Sequence, residues 1–390
     1  MRIRKGMLLL FVFLLLGLTL ACGSARVSEP PSDQPCDPQV PEFELEATSR
    51  PFAMGFNRWP PDFTAEAIEE MYAFIGEHGD LILYHFDGGV PWPEALHDEP
   101  FSAHLQADWE GARSSTPDDH VVLMALTPLN TGRDALAPYW GQEDNLPLPE
   151  PWDEKRLNDH DVMVAYLNYV QRAVDFFDPD YLAIGIEANL ALVHDPALWE
   201  EYKVLHRYVY EALKADRPDL PIFTTFTLPH LRGEEDEVDA QVQQAEVAAL
   251  LPYLDILGLS AYPYGWIYEP LGRVPEDYFD PALAFGKPVA IAETGMPSRG
   301  FKAYGVQYDF DSEDQVRYVD LVLRKALEHD FVFVVNWANI DFDPLLEYFP
   351  DDLRDLGLYW AYTGLQRSDG CPKDALYVWD AYAALPREGP

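Results

Sequence analysis

Two glutamates stand where short apolar runs give way to loops. Glu187 ends Tyr181-Leu-Ala-Ile-Gly-Ile-Glu187-Ala-Asn189, and Glu293 ends Pro288-Val-Ala-Ile-Ala-Glu293-Thr-Gly-Met-Pro-Ser298. A carboxylate at the end of a buried strand is costly unless it is used. In a barrel of parallel strands, the C-terminal strand ends are where reacting groups collect. Two carboxyl groups facing each other across a pocket are the groups that cleave a glycosidic bond. About 5–5.5 Å apart, one attacks the anomeric carbon while the other protonates the leaving oxygen. The proton donor needs a raised pKa and the nucleophile must be ionised.

The elements that position these two residues form a regular series. Strand-like runs at Phe52–Phe56, Leu81–Tyr84, Val121–Leu126, Tyr181–Ile186, Pro221–Thr227, Ile256–Ser260, Val289–Ala292 and Phe331–Asn336 alternate with helical patterns. The helices are expected at Thr64–His78, Phe101–Ala112, Asp161–Phe177, Pro196–Ala215, Val238–Leu251, Pro275–Phe285, Glu313–His329 and Lys373–Leu385. Strands alternating with helices imply parallel pairing through crossover helices. Eight such units predict an α/β fold, a single (β/α)8 TIM barrel. The competing doubly wound sheet lacks its Gly-rich turn after the first strand. Glu187 and Glu293 then belong to strands four and seven, across the mouth from each other.

The loops after several strands carry Trp92, Tyr139, Trp140, Trp152, Tyr264, Trp266, Tyr348, Phe349, Tyr359 and Trp360. Sugar rings have apolar C–H faces that stack on aromatic rings, although any one of these side chains could equally pack within the loops. His230, in Thr227-Leu-Pro-His230, is read either as a pocket residue or as a loop histidine with a local bond. Asp87, before Gly88-Gly89, is read as shaping its turn. The acidic run Glu234–Glu237 reads as a solvated helix start. No metal-binding spacing and no Ser or Cys nucleophile elbow occurs, so neither a metal nor another cofactor is expected.

The N-terminus reads as a secretion signal over residues 1–21. Arg2, Arg4 and Lys5 precede an apolar stretch, Met7–Leu20, too short to span a bilayer. Leu18-Thr-Leu-Ala21-Cys22 resembles a bacterial lipobox, which implies acylation of Cys22 and an envelope address, outer membrane or cell surface rather than inner membrane. An ordinary secretory peptide is the alternative. Residues 22–46 are Pro-, Ser- and acid-rich and read as a tether. Residues 47–390 are the barrel; with 48% apolar residues over the chain there is ample material for one core. The formal charge is −40, and loss of Arg2, Arg4 and Lys5 makes it −43. Phosphate recognition needs clustered Lys and Arg, so nucleic acid is excluded as a partner. A monomer whose partners are a carbohydrate and, through its anchor, a membrane is expected. Cys36 and Cys371 remain as an even pair in an oxidising compartment. They flank the barrel's two ends, which lie side by side once it closes, so a disulfide is expected.

Several stretches together resemble glycoside hydrolase clan A, the retaining β-glycosidase barrels, and within it families 17 and 53. Ala292-Glu-Thr-Gly-Met-Pro-Ser298 is similar to the family 17 nucleophile motif, with Met296 where tryptophan is usual. Leu259-Ser-Ala-Tyr262-Pro-Tyr264 resembles the sixth-strand motif of both families, and Val335-Asn-Trp337 sits where the clan places its sugar-floor tryptophan. Gly364-Leu365 to Gly370-Cys-Pro-Lys373 resembles the closing stretch of these enzymes. The resemblance implies that Glu187 is the acid/base and Glu293 the nucleophile of a retaining glycoside hydrolase acting on β-linked saccharides. It implies that Tyr262 bonds Glu293, and that Trp337, with Asn336, lies under the sugar. Arg58 and His85 are candidates for the polar duties of the clan's arginine near strand two, and Trp92 and His230 for the pocket lining. One departure is clear: the clan has Asn before its acid/base, where this chain has Ile186. Asn189 is the candidate substitute. Ile186 also favours a rival, a surface lipoprotein that binds glycan on the same barrel without cutting it. If the lipobox is used, Cys22→Ser will move the protein from the detergent-extracted membrane fraction to the soluble one and remove the acyl mass from its N-terminal peptide.

Overall fold

The computed structural model of the 390-residue chain describes residues 35–234, 239–263 and 274–388. Cys22 and most of the tether fall outside that range, as do Tyr264, Trp266 and Glu235–Glu237. Nine parallel strands form a nearly closed barrel. In chain order the strands are β1 (Ala53–Asn57), β2 (Leu81–Phe86), β3 (Val121–Leu126), β4 (Tyr181–Ala183), β5 (Ile222–Phe223), β6 (Thr225–Thr227), β7 (Leu257–Ala261), β8 (Val289–Thr294), the antiparallel hairpin β9 (Phe301–Ala303) and β10 (Val306–Tyr308), and β11 (Phe333–Asn336). β1 pairs with β11 and closes the ring, with Ala53 opposite Phe333 and Phe56 opposite Asn336. β5 pairs only with β4 and β6 only with β7, and a single residue, Thr224, separates them. They are one barrel position broken in two, so nine strands fill the eight positions expected.

Every residue of β1, β6, β7, β8 and β11 is buried. A parallel sheet covered by helices is buried on both faces, which is why these strands read as nearly unbroken apolar runs. The outer layer holds α1 (Ala65–His78), α2 (Trp92–His97), α3 (Ala103–Ser114), α4 (His160–Phe177), α5 (Leu190–His194), α6 (Pro196–Asp216), α7 (Leu228–Arg232), α8 (Ala240–Leu250), α9 (Asp280–Leu283), α10 (Ser312–Glu328), α11 (Asp351–Ala361) and α12 (Asp374–Ala383). Polar caps start the long helices. Thr64 accepts from the Ala67 N–H, Asp195 from Ala197, and Asp311 and Asp314 form a reciprocal capping box.

Three features differ from the sequence expectation. β4 ends at Ala183, because the chain bends through Gly185 before reaching Glu187. The helix expected over Pro275–Phe285 is only the four-residue α9. α2, α5, α7 and α11 lie in the loops after strands and were not expected; in the first three, of five or six residues, periodicity is too brief to read.

The two chain ends meet below the barrel. Arg50 accepts from and donates to the backbone of Glu388 and Pro386, and its guanidinium pairs with Asp80 at 2.8 Å. Residues 35–46, read as tether, lie against the barrel: Phe43 packs near Tyr382 and the Gln39 N–H donates to Asp374. There Cys36 and Cys371 form a disulfide spanning 335 residues. It staples the start of the described residues to the segment before α12. A cross-link over so long a loop restricts the unfolded chain strongly. Replacing Cys36 by Ser will lower unfolding stability by roughly 2–4 kcal/mol, read as a fall in the urea midpoint with an unchanged far-UV spectrum.

Candidate active site

Glu293 is the penultimate residue of β8 and is 8% exposed. Both of its oxygens are engaged. His85 Nε2, from β2, donates to Oε1 at 2.9 Å, and the Tyr262 hydroxyl, just past β7, donates to Oε2 at 3.2 Å. These two bonds fix the carboxylate's plane and direction. Burial alone would lower the His85 pKa, but the Glu293 carboxylate beside it, with Asp87, raises it above its ordinary value.

Glu187 reaches the same space from the bend after β4. Its backbone lies in the left-handed region, φ +48°, which a side chain other than glycine adopts only when neighbours enforce it. The neighbours here are on β6. Thr225 Oγ1 accepts from the Glu187 N–H at 2.8 Å, and the Thr225 carbonyl accepts from the Ala188 N–H at 3.0 Å. Gly185 is needed for the approach: a Cβ there would lie 1.9 Å from the Tyr202 hydroxyl. The Glu187 side chain is 22% exposed. Burial first, and then the charge of neighbouring Glu293, push its pKa up to about 7, against the pull of Arg133 and His85.

Arg133 is a residue the sequence reading missed. It lies in the tight loop Thr127-Pro-Leu-Asn130-Thr-Gly-Arg133, itself at φ +57°. The Asn130 carbonyl accepts from both its N–H and its guanidinium, which turns the side chain inward. The guanidinium makes three hydrogen bonds of 3.0–3.1 Å to Asp87 and lies 3.8 Å from Glu187 Oε2. Asp87 therefore holds Arg133 and does more than shape a turn. The Asn-Thr-Gly run before Arg133 was the only local signal. Three carboxyl groups, Asp87, Glu187 and Glu293, share this cluster with two basic groups, Arg133 and His85.

Trp337 follows β11 directly, and its ring meets His85 edge-on, 5.3 Å between centroids, and Trp59 at 5.8 Å. The Trp337–Ala338 peptide is cis. Beside these groups a cavity of about 220 Å³ opens, lined among others by Asn57, Arg58, Trp59, His85, Asp87 and Trp337. Arg58 is on its wall, donating to Asp108 at 2.8 Å. Among the described residues, no three His, Cys, Asp or Glu side chains are grouped as a metal cage requires.

Four expected site residues are placed elsewhere by their bonds. Asn189 is fully buried; its oxygen accepts from the Thr227 N–H and its amide donates to Gln243 and the Thr227 carbonyl, so it braces the loop and does not replace the missing asparagine. Asn336 is likewise buried and donates to the Ala338 and Thr363 carbonyls. Trp92 is buried against Trp152, with its indole N–H on the Ala137 carbonyl, and is not among the lining residues of that cavity. His230 is bonded to Thr227 Oγ1, and burial, with His194 nearby, lowers its pKa to about 4. In each case a polar group left over in a packed loop was satisfied by the backbone or a neighbour.

No family model matches the chain. A stretch of 174 residues is 25% identical to an "Uncharacterized protein in bgaB 5'region" of Niallia circulans, covering 40% of this chain and 45% of that protein, so the match spans less than half of that relative. Among solved structures, the GH5_18 protein of Streptomyces cattleya, crystallised with GlcNAc, aligns at TM-score 0.58 and 16% identity over 88% of this chain and 82% of its own. The exo-beta-1,4-mannosidase Op5Man5 of Opitutaceae bacterium strain TAV5 aligns at 0.57 and 14% identity, over 87% of this chain and 60% of its own. The β-glycosidase BGL167 aligns at 0.52 and 15%, over 83% of this chain and 87% of its own. None of the three is described as a member of family 17 or 53. At these identities the likeness is one of fold, a glycosidase-type (β/α)8 barrel.

Arg133 holds the Glu187 pKa down, so its removal must raise it. In Arg133→Met, the alkaline limb of any activity that needs protonated Glu187 will move up by about 1 pH unit. A pH–rate profile of kcat/KM, with circular dichroism as the folding control, reads this directly.

Proposed function

We propose that this chain is a retaining glycoside hydrolase acting on a β-linked polysaccharide or oligosaccharide. The observation that carries the reading is the unequal treatment of two facing glutamates. Glu187 is driven toward its protonated form at neutral pH by burial and by the charge of Glu293. Glu293 is held by two donors, His85 and Tyr262, as an oriented acceptor. That difference supports the division into acid and nucleophile required for double displacement.

In the first step, an oxygen of Glu293 attacks the anomeric carbon. The bond to the leaving oxygen breaks as Glu187 gives it a proton. In the second step, Glu187, now a carboxylate, takes a proton from water. The water oxygen displaces Glu293 and the carbon returns to its original configuration. Tyr262 and His85 keep Glu293 aimed along the line of attack, and Trp337 offers the sugar a flat apolar surface. The solved neighbours named as a mannosidase and a β-glycosidase support this class of substrate. An address at the cell envelope through acylated Cys22, and action as a monomer, belong to the same proposal and rest on the sequence alone.

The rival reading, a glycan-binding barrel without chemistry, is favoured by Ile186, which is buried in place of the clan's asparagine. One set of variants separates them. Glu293→Ala should abolish reducing-sugar release from a panel of β-glycans, and Glu187→Ala should lower it by about 10²–10⁴-fold. Adding azide to Glu187→Ala should restore turnover of an activated aryl glycoside and yield the β-glycosyl azide. A folded wild-type protein that binds the panel and releases nothing is the result that sinks the enzyme in favour of the binder.

A further inference from the structure

The cavity beside His85 and Trp337 runs toward the loops after β1 and β11, and neither glutamate is among its lining residues. His85, bonded to Glu293, joins it to the reacting groups. Its far wall is apolar and aromatic: Trp59, Phe63, Tyr348 and Phe349, with Ile68 and Pro60. Tyr348 is 55% exposed and Ile68 38%, large apolar groups left in water at the cavity's rim. Phe63 braces Tyr348 edge-on at 5.3 Å between centroids. Exposed, braced aromatic surface continuous with a reacting centre is what a ligand's apolar face would cover.

The polar walls offer no uncommitted cation among the described lining residues. Asp87, Asp108 and Asp144 line the cavity, and Arg58 is the one Lys or Arg among its described lining residues. Arg58 is already committed. It donates to Asp108 at 2.8 Å, and its guanidinium carbon lies 5.3 Å from the Phe86 ring centre and 5.7 Å from that of Tyr84. His85 is likewise taken by Glu293, and Arg133 by Asp87. An entering carboxylate would leave water for a partly dry space with no uncommitted cation to receive it, inside a protein of strongly negative net charge.

We propose that this cavity, joined to Glu293 through His85, is a further saccharide subsite that accepts a neutral or amino-bearing ring and rejects a uronate. The inference rests on the glycosidase reading for its ligand class. Tyr348 and Phe63 carry the ring's apolar face. Asp108 and Asp144 accept from hydroxyl or ammonium groups, and Asp108 keeps Arg58 from serving as a carboxylate receptor. The wall chemistry thereby chooses among sugars that the barrel shape alone does not distinguish, since β-glucuronidases and a β-mannosidase share that shape with this chain.

The test is a binding measurement that needs no turnover. The Glu187→Gln protein is titrated calorimetrically with β-1,4-mannotriose, with chitosan trisaccharide, and with a β-1,4 trisaccharide ending in glucuronic acid. Neutral or amino trisaccharide should bind roughly 100-fold more tightly than the uronate, a gap that narrows at high salt. Tyr348→Ala should weaken the favoured trisaccharide about 10-fold through loss of stacking. Asp108→Asn, which frees Arg58, should raise uronate affinity. Equal or tighter binding of the uronate overturns the proposal, as does failure of both other sugars to bind, or an unchanged affinity in a folded Tyr348→Ala protein. If the sugars bind as expected but wild type cuts none, the subsite stands and the hydrolase reading falls. If wild type cleaves β-glycosides but prefers uronates, the reverse holds.

Discussion

Two carboxyl groups in a space with little water cannot both be charged without help. Glu187 and Glu293 are in that position, and the surrounding structure answers to it. One solution would be to flood the site with cations. This chain uses two basic groups, Arg133 and His85, and commits most of Arg133 to a third carboxyl, Asp87. Glu187 is the glutamate pushed toward its protonated form, by burial and by the charge of Glu293. Glu293 is instead held and oriented by two donors, so their surroundings separate the roles of two residues of the same type.

The scaffold's contribution is to hold that imbalance still. Glu293 sits on a strand buried throughout, paired on both sides, so its direction is set by the ladder. Glu187 has no such support, because β4 stops four residues earlier. Its place depends on Thr225 and Asn189, which tie its loop to the next strand position, and on the absence of a side chain at Gly185. The broken barrel position at Thr224 belongs to the same device: the strand that clamps Glu187 leaves its β4 partner in order to do so. Rigid support on one side and a clamped turn on the other keep both groups on a common space.

The aromatic loops divide in a way that composition could not foretell. Trp92 and Trp152 stack on each other, and Tyr359 donates to Tyr308, so these rings serve as the loops' own core. Trp140, Tyr348 and Phe349 reach the cavity beside Trp337. The same holds for the polar residues. His85 and Tyr262 meet Glu293, whereas Asn189 and Asn336 satisfy backbone groups. A loop with few regular hydrogen bonds must recruit side chains to satisfy its backbone, and it takes whichever amides are near.

The order of strands and helices was legible because a two-sided parallel sheet demands continuous apolar runs, and those are local in sequence. The two glutamates were legible for the same reason, as charges where such runs end. The pairing of Cys36 with Cys371 followed from closure of the barrel. Arg133 was not legible. Its contacts join residues 46 and 54 positions away, and its inward turn depends on a left-handed backbone that the letters do not announce. The sequence alone thus determined which groups stand at the barrel's mouth, because periodicity and strand ends are properties of neighbouring residues. Which of them carry a proton, which bind and which merely brace was decided only by the tertiary structure, because charge, burial and hydrogen-bond partners are set across the barrel by residues far apart in the chain.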